Sequence, residues 1–183
     1  MASHNTGSDS ANTNVRAFLT KIGSHYLGRG FNHSSGKAKL HWRKIVEETF
    51  DSECAYCGVS EKKVKLTMEH LVMFNRTECG LHHPGNVVPC CIPCNKREKD
   101  NKNNYVGWEQ HLKNICLSNN DDYQKRKKII KKHIRKEKYP NLSENELSAL
   151  KAIANHLYSS TQGELEKAFS LFTNIDETIV NKK

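Results

Sequence analysis

Cys54-Ala55-Tyr56-Cys57-Gly58 and Cys91-Ile92-Pro93-Cys94-Asn95 bracket a segment that carries Glu69-His70 and Gly85-Asn86. Thirty-three residues separate the two Cys-x-x-Cys pairs. Four thiolates at that spacing can enclose one zinc ion tetrahedrally, so Cys54, Cys57, Cys91 and Cys94 are the expected ligands. Cys90 stands directly beside Cys91 and is a rival ligand, but the Cys-x-x-Cys spacing selects Cys91. Cys79 and Cys116 have no such spacing and read as small apolar side chains.

The chain has 183 residues and seven cysteines. An odd cysteine count, with no apolar secretion signal near the first residue, reads as metal binding in a reducing compartment, and the expected location is the cytoplasm. No run of eighteen apolar residues is present, which excludes an expected membrane partner. The formal net charge of +9 favours a polyanion.

Outward from the cysteines, residues 63–72 alternate and are β-prone, which predicts a strand ending near His70. Residues 73–85 read as a loop and 86–88 as a second strand. A helix is expected from Cys91 through Asn101, carrying Asn95, which completes a ββα order. Before this segment, residues 1–13 are small and polar and read as a disordered or tag-like tail. Val15, Phe18, Leu19, Ile22 and Tyr26 share one helical face, and a second helix is expected over 37–50 with Trp42 and Phe50 in the core. Beyond it, helices are expected over 105–117 and 121–138. Two more are expected to open at the capping boxes Ser143-x-x-Glu146 and Thr161-x-x-Glu164.

Taken together, Cys54-x-x-Cys57-Gly58, Glu69-His70, Gly85-Asn86 and Cys91-x-x-Cys94-Asn95 resemble the HNH, or ββα-metal, endonuclease family over roughly residues 51–102. The resemblance implies an α+β fold with a zinc-stabilised ββα-metal core flanked by mostly α-helical segments. The expected divisions are a tail (1–13), N-terminal helices (14–50), the nuclease core (51–104) and a C-terminal helical region with a basic helix (105–183).

The resemblance also implies roles. His70 matches the histidine that activates water. Glu69 matches the acid that binds a catalytic divalent cation, and Asn95 matches the last position of the motif, which completes that site. Asn86 matches the asparagine that holds the interstrand loop. The residue types suit phosphodiester hydrolysis, which needs a base near neutral pH and a cation against developing negative charge. A carboxylate and an amide oxygen are hard ligands for Mg²⁺ or Mn²⁺. Two positions depart from the family pattern: the acid is Glu69 where Asp is commoner, and Glu98 stands where a basic residue is usual, with Lys99 one position later. His82 and His83 fall in the interstrand loop, where solvation is favoured over contact with DNA.

The run Lys125–Lys138 holds nine Lys/Arg and one Glu. Ile130 and Ile134 give it an apolar edge, so its other face can meet phosphates. Lys96, Arg97, Lys99, Lys128, Lys132 and Arg135 are the expected nucleic-acid contacts. Trp42 and Trp108 read as core rather than base-stacking. The expected function is a divalent-metal-dependent DNA endonuclease of restriction or defence type, and cutting both strands of a duplex would suit a homodimer. The rivals are a non-catalytic zinc-containing nucleic-acid-binding module and a zinc-stabilised protein-interaction domain.

Overall fold

The computed structural model describes residues 6–101, 104–119 and 122–180, with side chains up to 175 except that of residue 119. Among them are five α-helices and one two-stranded antiparallel sheet, a mixed α+β architecture. The helices are α1 (Gly7–Leu27), α2 (Gly36–Lys44), α3 (Trp108–Asn119), α4 (Tyr123–Lys136) and α5 (Glu144–Val180). A π-helical turn, Ile45–Thr49, extends α2, and the strands are β1 (Leu66–His70) and β2 (Val87–Cys91). The chain forms two compact units. One is built from Met1–Phe18, Asn75–Cys79 and Leu142–Lys183, the other from Leu19–Phe74 and Gly80–Asn141.

In the larger unit the sheet pairs Leu66 with Cys91, Met68 with Pro89 and His70 with Val87. Every residue of β2 is buried. Successive strand residues point to opposite faces, and β2 serves a cluster on each. Val87 joins Phe31 and Ala38, while Val88 joins Ile45, Phe50, Tyr56, Leu112 and Ile130. Fully burying side chains of this size contributes roughly 1.5–3 kcal/mol each. Phe50 is core as expected, and Trp42 packs partly buried against both clusters. Leu40 of α2 is exposed.

Three expectations are corrected. The helix from Cys91 through Asn101 is absent. Cys91 closes β2, residues 92–95 form a turn with Asn95 N donating to Cys91 O (3.0 Å), and Lys99 bridges to Tyr105. The Asn95 and Arg97 side chains bond back to β1 and its end, holding this segment flat where a helix would carry them away. The tail is not disordered over residues 7–13, which belong to α1. Thr6 and Asp9 form a capping box, with Thr6 Oγ1 donating to the Asp9 carboxylate (2.6 Å). Residues 1–5 of that expected tail, and residue 121 at the expected start of the basic helix, lie outside the described residues.

The third correction falls in the smaller unit. Ser143 and Glu146 form the expected capping box (2.6 and 3.3 Å) and open α5. Thr161 opens nothing. Its hydroxyl donates to Leu157 O (2.8 Å) inside the same helix and accepts from Asn14 Nδ2 of α1 (2.9 Å). One helix therefore runs where two were expected, with Ala11, Val15, Leu150 and Ala154 buried in this unit.

Candidate functional site

The loop after the π-helical turn delivers Cys54 and Cys57 to the end of β2. Gly58 closes their knuckle at φ +71°, donating its N–H to Cys54 O (2.9 Å). That left-handed conformation suits glycine, and a Cβ there would also strike the Arg126 guanidinium of α4. The Sγ atoms of Cys54, Cys57, Cys91 and Cys94 all lie within 4.8 Å of one another. Cys57 and Cys91 sulfurs are 3.6 Å apart. Thiolates about 2.3 Å from a tetrahedral zinc ion stand roughly 3.8 Å apart, so the cluster fits such an ion. Cys91 N–H points at Cys54 Sγ (3.4 Å), a bond that favours thiolate. The thiols of Cys90 and Cys94 lower the Cys54 pKa further, while burial raises that of Cys57 to about 11. Outside the tetrad, His111 supports it by bonding Cys94 O (2.8 Å). Cys90 is not one of the four, in agreement with the spacing argument, and Cys79 and Cys116 are buried.

Glu69 and His70 end β1 on opposite sides. Glu69 is 7% exposed and its carboxylate meets Arg97 Nη2 at 2.5 Å. The same guanidinium donates to Leu71 O (2.8 Å), His70 O (3.0 Å) and Tyr56 Oη (3.3 Å). Asn95 Nδ2 donates to Thr67 Oγ1 (2.9 Å), two residues from Glu69 on the strand. Arg97 was expected at a phosphate, but its side chain is 2% exposed and faces inward. Of the expected divalent-metal ligands, Glu69 thus has its Oε1 held by Arg97 in a buried ion pair, and the Asn95 amide group is bound to Thr67.

His70 stacks on Phe74 (4.8 Å between centroids, 14° between planes), and its Nε2 lies 3.1 Å from His82 Nδ1. The His82 ring in turn lies against Phe31 (5.3 Å) and His33 (5.8 Å). Burial lowers the His82 pKa, and nearby His33 lowers it further. His83 is not solvated as expected. It is 1% exposed, accepts from Gly85 N (3.1 Å) and is pushed down to about 4, chiefly by burial. Asn86 is also buried. Its Oδ1 accepts from Val72 N (2.8 Å) and its Nδ2 donates to Val72 O and Leu81 O (both 2.9 Å), so one amide pins both limbs of the interstrand loop.

On α4, Ile130 and His133 are buried, and Lys128, Lys132 and Arg135 are exposed. Lys127 and Lys131 pair with Glu109 of α3 (2.5 and 2.9 Å), which leaves the outer row to carry the charge outward. Lys96 and Lys99 are exposed as well. Sequence reasoning missed the partners His82 and Arg97. Each lies far along the chain from the residue it meets, and no local pattern marks either pairing.

Comparison with protein-family profiles, with curated proteins and with solved structures returns no match to this chain. Among the described residues no helix is long and apolar enough to cross a membrane.

Proposed function

We propose that this chain is an HNH-type DNA endonuclease in which His70 is the general base and a zinc ion in the cysteine tetrad holds the scaffold. The observation that carries the reading is the setting of His70. Its imidazole ends β1 opposite Val87, four residues beyond Leu66, which pairs with Cys91, and packs against both Phe74 and His82. A neutral imidazole held on a rigid strand can take the proton of an attacking water. Lys96 and Lys99 beyond the tetrad, and Lys128, Lys132 and Arg135 on α4, would contact phosphates without reading sequence. A Mg²⁺ or Mn²⁺ ion at Glu69 would share its carboxylate with Arg97 or displace that side chain, so the added cation is a variable of the test. A homodimer belongs to the same reading where both strands of a duplex are cut.

A second reading, a non-catalytic zinc module that binds nucleic acid, is favoured by the Glu69–Arg97 pair, which occupies the acid that the family uses for its cation. Incubating zinc-loaded protein with supercoiled plasmid separates the two, with Mg²⁺, with Mn²⁺ and with neither. Loss of the supercoiled band supports the nuclease. A gel shift with intact plasmid under all three conditions supports the binding module.

A further inference from the structure

We infer that the exposed apolar stripe of α5 between Leu165 and Ile175 is a self-association surface, on which a second copy of this chain packs the same stripe about a two-fold axis. The pairing does not depend on whether His70 cleaves DNA. In the smaller unit α1 begins beside Leu165 of α5. A Cβ on Gly7, the first residue of α1, would stand 3.5 Å from Leu165 Cδ1. Further along, Gln162 Nε2 donates to Ser8 Oγ (3.1 Å) and Asn14 Nδ2 donates to Thr161 Oγ1 (2.9 Å). On α5 itself, every residue from Gly163 to Ile175 but Thr173 is exposed.

The exposed stripe continues a buried one. Leu150 and Ala154 are buried, Thr161 meets α1, and residues four and seven positions apart share a helix face. Leu165, Ala168, Phe169, Phe172 and Ile175 follow at those spacings. Leu165 is 43% exposed, and Phe169, Phe172 and Ile175 are between 55% and 64% exposed, with Leu171 equally open at the edge of the stripe. Single exposed apolar residues are ordinary, but a contiguous stripe marks a place of contact. A helical run of this length is marginal in water by itself, and Gly163, with open space about it, weakens the run at its root. A partner helix on the stripe would cover the apolar surface and hold the run helical.

Charge and area select a second copy as the partner. Residues 163–175 hold Glu164, Glu166 and Lys167, a net charge of −1 in a chain of +9. Two such stretches can approach each other where two basic α4 faces would repel. Nucleic acid and anionic lipid both select Lys and Arg around a contact, and this flank is acidic. The stripe from Leu165 to Ile175 carries no polar side chain, so its own copy leaves no buried donor or acceptor unmatched. At about 150–250 Å² for a whole aromatic side chain, and somewhat less for Leu or Ile, the exposed parts of these side chains amount to roughly 500 Å². Two copies face to face would bury about 1,000 Å² in total, the lower bound for a specific interface. An interface of that size suits association in the micromolar range.

The test is sedimentation equilibrium of the zinc-loaded chain, without DNA, over a concentration series through the micromolar range. The expected result is a mass that rises from one chain to two and stops there. Phe169→Gln with Phe172→Gln keeps helix-forming residues but removes both aromatic anchors, and should weaken the pairing roughly a hundredfold or more with circular dichroism and zinc content unchanged. Ser170→Glu, on the opposite face of α5, should pair as wild type does. Hydrogen exchange of wild type should find the amides of residues 166–175 protected at high concentration and open at low concentration. This readout needs no substitution, so it decides the matter even where the double variant folds poorly. A wild type that stays monomeric, as it would if the stripe served a partner of other chemistry, overturns the inference. So does a mass that climbs past two chains, pairing undiminished in a folded double variant, or exchange over 166–175 that ignores concentration.

Discussion

Arg97 and Glu69 form a buried ion pair, 2.5 Å from guanidinium to carboxylate, between the segment after the second cysteine pair and the end of β1. The Arg97 guanidinium also donates to Leu71 O, His70 O and Tyr56 Oη, so one side chain ties the strand end, the following loop and the first knuckle together, while its buried Nε has no hydrogen-bond partner. Burying two charges is repaid only when the geometry is good and further hydrogen bonds satisfy them.

Removing either partner should therefore be costly. Arg97→Ala leaves an unpaired carboxylate in the interior and should destabilise the zinc-loaded protein by roughly 3–5 kcal/mol. The paired change Glu69→Leu with Arg97→Met should recover most of that loss. Urea unfolding midpoints check both, and a cost below about 1 kcal/mol for Arg97→Ala would mark the pair as an ordinary surface contact.

The tetrad should bind about one zinc per chain. Metal analysis should find it in wild type and in Cys90→Ser, and should find it lost in Cys57→Ser with Cys94→Ser. Because zinc binding contributes folding free energy directly, chelation should lower the melting temperature of wild type. Zinc retained with full stability in the double variant would remove these four residues as ligands.

If His70 is the base, His70→Ala should fold, keep its zinc and bind DNA, while plasmid cleavage falls by roughly two to four orders of magnitude. Near wild-type cleavage by that variant, with contaminating nuclease excluded, assigns the base elsewhere.

The outer row of α4 should govern affinity for DNA of any sequence. Neutralising Lys128, Lys132 and Arg135 should weaken binding uniformly and flatten its dependence on salt by roughly one unit of slope per lost phosphate contact. An unchanged slope returns the row to an ordinary solvated face.

His83 carries a pH dependence of stability with a defined sign. Its pKa falls from the ordinary 6.5 to about 4 on folding. The folded state holds the neutral ring, and protonation favours the unfolded chain. This contribution is complete above about pH 6.5 and is lost as pH falls toward about 4. A ¹H NMR titration should show the His83 ring neutral through pH 5.5, about one unit below the ordinary histidine value. Titration of the ring at its ordinary value would mean that it is solvated in the fold.

Much of the cysteine cluster and its scaffold was legible because local patterns encode them. The two Cys-x-x-Cys turns need only a few residues each, alternation marks β1 up to His70, and Ser143-x-x-Glu146 marks the start of α5. The helix expected after Cys91 failed because its apolar and polar spacing says nothing of Asn95 and Arg97 reaching back to β1. Thr161 failed as a cap because its hydroxyl can bond the preceding turn equally well, and only packing against Asn14 of α1 decided which bond it makes. Thr6 and Asp9 cap α1 from within a segment whose small, polar composition favours disorder, so composition and capping point in opposite directions there.

By itself the sequence determined which four sulfurs can share an ion, that His70 closes a strand, and that α4 has one apolar edge under a basic face. These follow from spacing and from the periods of strand and helix, which are properties of the backbone within a few residues. The tertiary structure decided what each polar group meets. It gave Glu69 a buried cation, His70 a second imidazole and His83 a dry surrounding, because desolvation and hydrogen-bond partners are set by residues distant in the chain and close in space.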